Sequence, residues 1–127
     1  MRWTASGVQP AAENSPVQLV TEWAHQDVVL LAGVIEGARD VELVGLALQS
    51  VARSGKQIVV DLSSVEFMGI DVLYELLKPG RQIESRPWLC GPFHPIVTRL
   101  FELTGVLDVF RIFPSLPDAT EVGRPKA

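Results

Sequence analysis

An α/β fold in a single domain is predicted by short β-branched apolar runs that alternate with longer stretches whose apolar residues recur every three or four positions. Two runs are nearly continuous, DVVLLAGVI at residues 27–35 and IVV at the centre of residues 57–62, as in strands buried on both faces of a parallel sheet. Length agrees: 127 residues with 47% hydrophobic content build one core without a disulfide or metal staple. The expected architecture is a mixed, largely parallel β-sheet with helices mostly on one face, in the order β-β-α-β-α-β-α-β.

Each element has its own signal. Residues 1–16 hold Gly7, Pro10, Ser15 and Pro16 with little periodicity and read as a flexible N-terminal tail. Residues 17–24 alternate as a strand, and His25-Gln26 joins them to the run 27–35 as a hairpin. Val41, Val44, Leu48 and Val51 share one face of a helix over 41–53, which Gly55 stops. The run 57–62 is the central strand. Val72, Leu73, Leu76 and Leu77 pack a short helix over 71–78, ended by Pro79-Gly80. After a short strand at 88–91, Pro95 suits the first turn of a helix running through Val97, Leu100 and Phe101 to Thr104, with Gly105 as its C-terminal stop. A strand at 109–113 closes the pattern, with a turn at 115–119. Pro114, Pro117, Gly123 and Pro125 mark a tail, so the domain is expected to span 17–119 and a flexible C-terminal tail 120–127.

Charge and composition exclude several functions. A net charge of -4 with no basic cluster argues against nucleic acid, whose recognition needs a cationic face. No apolar run approaches the ~20 residues that span a bilayer, so no membrane segment is expected. Cys90 is the single cysteine and Met1-Arg2-Trp3 is not followed by an apolar signal core, which together predict a reducing, cytoplasmic location.

Catalytic constellations are thin. Asp61 ends the central strand as a receiver-type phospho-acceptor would, but the acidic pair and the late lysine of that chemistry are missing; Asp61 reads instead as orienting the chain through Ser63 and Ser64. Asp61, Glu66 and Asp71 have no supporting histidine and give no specific metal or paired-carboxylate signal. His25 belongs to a turn, and His94, just before Pro95, reads as a helix cap. Cys90 in WLCG has no neighbouring cation to activate a thiolate and reads as a small core residue. AGVIEG lacks the spacing of a phosphate-binding loop. No enzyme activity, cofactor or metal is expected.

The stretch DLSSVEFMGIDVL, residues 61–73, resembles the strand-turn-helix of STAS domains, the anti-sigma factor antagonists, whose usual form reads Asp-Leu-Ser-x-Val-x-Phe-hydrophobic-Asp-Ser-Ser-Gly-Leu. HPIVTRLFELTGVLDVFRIFPSLPDA is similar to the family's last helix, Thr-Gly break and final strand, and AGVIEG stands at its Gly-x-x-Asp turn. The resemblance covers residues 17–119. It implies a STAS-like fold and a bacterial partner-switching regulator of transcription, which binds a histidine-kinase-like anti-sigma factor and frees a sigma factor until a serine is phosphorylated.

Aligned on that pattern, Gly69 stands at the family's Asp, Ile70 at its phosphorylated serine and Asp71 at the next serine. Isoleucine has no oxygen to accept a phosphate, so the usual off-switch, a group of about -1.5 to -2 charges, is missing. The expected contact surface comprises Glu36, Ser63, Ser64, Glu66, Met68, Gly69, Ile70 and Asp71, with the turn 63–71 at its centre. Met68 is read either as an exposed anchor beside Ile70 or as core. Asp71 is read as a helix cap or first-turn acid, or as an imitation of phosphoserine. Glu36 is a partner contact or a solvated loop acid. The other functional reading is a divergent STAS scaffold or sensor that assembles with other STAS proteins or holds a small ligand.

Overall fold

The structure, a computed structural model, describes residues 15–20, 25–78 and 86–122. These form a five-stranded sheet in which β1 (Val17–Val20) pairs antiparallel with β2 (Gln26–Ile35). From β2 the order continues in parallel through β3 (Gln57–Met68), β4 (Trp88–Cys90) and β5 (Ile112–Phe113). Helices α1 (Gly37–Ala52), α2 (Ile70–Leu77) and α3 (Pro95–Thr104) are the crossovers, and α4 (Leu116–Val122) follows β5. Because spatial order follows chain order, every right-handed crossover steps the same way and lays its helix on the same face.

That face carries the main core. Val29, Leu31, Val60, Leu62 and Leu89 of the sheet pack under Val44, Leu48 and Val51 of α1, Val72, Leu73 and Leu76 of α2, and Val97 and Phe101 of α3. A smaller cluster of Val28, Val59, Cys90 and Phe113 lies on the other face under Ala119 of α4. Arg111 stacks on Trp88 and Phe113 at that edge, 4.7 and 4.9 Å from the ring centres. The mixed, largely parallel sheet with helices mostly on one face is the expected architecture.

Caps follow the sequence signals. The His94 Nδ1 accepts the Ile96 N–H at 3.2 Å at the start of α3, and Gly105 closes that helix in the left-handed region at φ 71°.

Several boundaries differ. β3 does not stop at Leu62 but runs on to Met68, so the expected turn at 63–68 is strand. Two bulges conceal it. Leu30 pairs with Asp61 and Ala32 with Ser64, then Gly33 with Val65 and Val34 with Phe67, so β3 spends one extra residue in each interval. Leu62, Val65 and Met68, three apart, consequently all enter the main core, where an even strand would alternate by two. Gln26 is not a hairpin residue but the start of β2; its side chain is buried and donates from Nε2 to the Ala119 carbonyl at 2.8 Å. Helix α1 begins at Gly37 rather than 41, and β5 is confined to Ile112–Phe113.

The expected turn at 115–119 and the first residues of the expected tail fold as α4, and residues 123–127 of that tail lie outside the described residues. The Ser115 Oγ accepts the Asp118 N–H at 3.3 Å and donates to Asp118 Oδ2 at 2.8 Å, and this Ser-x-x-Asp box starts the helix. The expected strand at 21–24, the stop at Pro79-Gly80 and residues 1–14 of the tail lie outside the described residues.

Candidate partner-binding site

Strands β2 and β3 end side by side, with Ile35 paired to Met68, and each chain turns there into a helix. The Gly69 N–H donates to the Ile35 carbonyl at 2.9 Å, which ties the start of α2 to the end of β2. Gly69 is the N-cap of α2 and Glu36 the N-cap of α1; a Cβ on Gly69 would sit 3.5 Å from the Glu36 Cβ. Two helix starts thus converge, and residues 33 positions apart in sequence become neighbours.

Ile70 is the first residue of α2 and is 46% exposed. Tyr74, one turn on and 57% exposed, shares its face, opposite the buried Val72 and Leu76. Val34, also exposed, pairs with the half-buried Phe67 just below the strand ends. Ile70 and Tyr74 therefore give α2 an exposed apolar face beside the strand ends, while Val34 lies on the side of β2 opposite the buried Ile35. Carboxylates border the α2 face: Glu36 and Asp71 are exposed, and the Glu36 N–H is held by Asp40 Oδ2 at 3.1 Å. The Asp71 Oδ1 accepts the Val72 N–H at 2.9 Å, in the first turn where a negative charge meets the helix dipole.

The sequence-predicted residues divide. Glu36, Gly69, Ile70 and Asp71 come together. Met68 does not join them: at 2% exposure it sits in the main core, and the expectation of an exposed Met68 anchor is corrected. The second bulge turns its side chain inward under the helices. Ser63, Ser64 and Glu66 are exposed along β3 itself and not on a turn. Tyr74 is the site residue that the sequence reading missed, although the four-residue step from Ile70 to Tyr74, out of phase with Val72 and Leu76, marks an outward helical face.

Ser64 lines a separate cleft of about 130 Å³ with Ser15, Gln18, Leu30 and Asp61. Asp61 is 9% exposed there; its Oδ1 accepts the Ser63 N–H at 2.9 Å, the orienting role expected of it, and the Cys90 thiol hydrogen-bonds to the carboxyl group. Burial, and then the Asp61 charge, pushes that thiol up to about 12, which leaves no thiolate at neutral pH. The cleft is smaller than the ~300–1,000 Å³ usual for small-molecule sites. Among the described residues no group of three or more His, Cys, Asp or Glu side chains is placed to hold a metal ion. Nor is any described helix long and apolar enough to cross a membrane.

The model of the STAS domain matches residues 25–119, and the chain belongs to this family. Among solved structures, an anti-sigma factor antagonist from Mycobacterium paratuberculosis is similar with a TM-score of 0.68 and 22% identity over 98% of this chain and 100% of that one. The anti-sigma factor antagonist SpoIIAA in its unphosphorylated form gives 0.61 and 14% identity over 84% and 94% of the two chains. An uncharacterised protein from Shewanella loihica with a SpoIIAA-like fold gives 0.54 and 14% over 98% and 99%. At these identities the likeness is one of fold. No curated protein matches the sequence.

Proposed function

We propose that the chain is an anti-sigma factor antagonist that docks on a histidine-kinase-like anti-sigma factor through the start of α2 and so frees a sigma factor. The role is one of binding rather than catalysis, carried out in the bacterial cytoplasm. Ile70 is the observation that carries the reading. It stands exposed at the first position of α2, where the family pattern has its phosphorylated serine, with Tyr74 extending the apolar surface along the helix and Glu36 and Asp71 at its edge. An apolar centre inside a polar rim is the usual composition of a binding hot spot. With no hydroxyl at position 70, phosphorylation there cannot end the contact.

Capture of the anti-sigma factor on the immobilised chain tests this. Ile70→Asp is expected to abolish capture and Leu103→Glu, on α3, to leave it intact. The contact is expected to persist in salt that screens exposed ion pairs. Incubation with the kinase and ATP leaves the mass of the chain unchanged; capture that survives Ile70→Asp would overturn the assignment.

A further inference from the structure

The sheet face opposite the main core is covered by α4 at one end only. Beyond Val28, Val59, Cys90 and Phe113, which lie under Ala119, three cross-strand pairs of β2 and β3 follow: Leu30 with Asp61, Ala32 with Ser64, and Val34 with Phe67. Val34 is 55% exposed and Phe67 half-buried, and among the described residues the two join neither apolar cluster. Side by side on a sheet face, they form an apolar surface that gains from cover.

The chain itself arrives at this surface. β1 runs antiparallel to β2, and the pairing continues one step upstream of it, where the Ala32 N–H donates to the Pro16 carbonyl at 3.0 Å. Read backwards from Pro16, the chain therefore heads along β2 toward Gly33 and Val34. Ser15 and Pro16 line the cleft that holds Leu30, Ala32, Asp61 and Ser64, so the chain enters on this face and not on the helical one.

Upstream of Ser15 stand residues 1–14, MRWTASGVQPAAEN, whose charged side chains are Arg2 and Glu13 and whose larger apolar ones are Met1, Trp3 and Val8. Val8, counted back from Ser15, reaches up to about 25 Å along an extended chain. Val34 and Phe67 lie on the next two strands, within about 10 Å of the line that β1 follows. Tethering at the edge of the surface gives the segment an effective concentration on the order of millimolar there, which a free partner lacks.

We propose that residues 1–14 fold back across the uncovered half of this face, with Trp3 and Val8 packed on Val34 and Phe67. The segment then does at one end of the sheet what α4 does at the other. Neither Ile70 nor an anti-sigma factor enters the proposal.

Thiol labelling of the 127-residue chain carrying Val34→Cys tests it, because Cys90 is buried and keeps its proton at neutral pH. The thiol at position 34 is expected to react about tenfold more slowly than the same thiol in a chain that also carries Trp3→Ser and Val8→Ser, since the cover must open before the reagent enters. Cys90, unlabelled in both chains, reports the intact sheet. The protection is expected to be independent of chain concentration, as for any contact made within one molecule. Equal rates with and without the two serine substitutions would overturn the proposal, and so would protection that grows with concentration, the sign of cover by a second copy.

Discussion

A Cβ atom placed on Gly69 would lie 2.5 Å from Oδ1 of Asp71. The Gly69 backbone, at φ -73°, is open to any residue, so the glycine answers to space and not to dihedral strain. The carboxylate folds back over the helix start because the Val72 N–H holds it at 2.9 Å. The family pattern has Asp at position 69 and a serine at 71; here the acid stands two residues later and occupies the room an N-cap side chain would need.

Gly69→Ala is therefore expected to cost about 1 kcal/mol, from the poorer cap and the displaced Asp71 hydrogen bond. In an Asp71→Ala background most of that cost disappears. A urea double-mutant cycle should show the two positions coupled by about 0.5–1 kcal/mol. Additive effects would mean that the carboxylate does not occupy this space in solution.

Met68 and Ile70, two residues apart, are expected to respond in opposite ways. Met68→Ala opens a cavity in the main core and should destabilise the chain by about 2–5 kcal/mol. Ile70→Ala removes a half-exposed side chain at a helix start and should change stability by no more than about 0.5 kcal/mol while weakening capture of the anti-sigma factor. Equilibrium unfolding of both variants, with capture measured in parallel, separates the core position from the contact position.

That contrast also marks how far the sequence could be read. The helical faces were legible, since Val44, Leu48, Val51, Val72, Leu73 and Leu76 keep a 3.6-residue period and are buried. So were the caps at His94 and Gly105, whose residue types fix their geometry locally. The end of β3 was not, because its two bulges replace a period of two by a step of three, and nothing local in SSVEFM announces where the extra residues fall. Helix α4 was hidden by Pro114 and Pro117 although Ser115 and Asp118 spell its capping box. The neighbourhood of Glu36 and Gly69 depends on β2 and β3 ending together, a tertiary fact that no spacing along the chain contains.

Restoring a hydroxyl at the first position of α2 is expected to restore the switch. Ile70→Ser presents an exposed side chain where the family carries its acceptor, and incubation with the anti-sigma kinase and ATP should add one phosphate. A dianion set beside Asp71 and Glu36, on a surface otherwise apolar, should then release the captured anti-sigma factor. Intact-mass measurement after incubation, followed by capture, checks both steps; an unmodified Ile70→Ser chain would mean the kinase does not reach this position.

Cys90 gives the chain a testable alkaline limit. Burial and the adjacent Asp61 carboxylate push the thiol from its ordinary 9.0 up to about 12, so the folded state holds a proton that the unfolded chain has already lost in that window. The resulting stabilisation is fully present below about pH 9 and is lost as pH rises toward about 12. The stability advantage of the natural chain over Cys90→Ala should accordingly be constant from about pH 6 to about pH 8 and shrink by about pH 10.5, measured by urea unfolding. At neutral pH the folded thiol should also resist disulfide reagents until the chain is denatured. Rapid modification of the folded chain would place Cys90 nearer solvent, and its carboxylate neighbour elsewhere, than the sheet's smaller core allows.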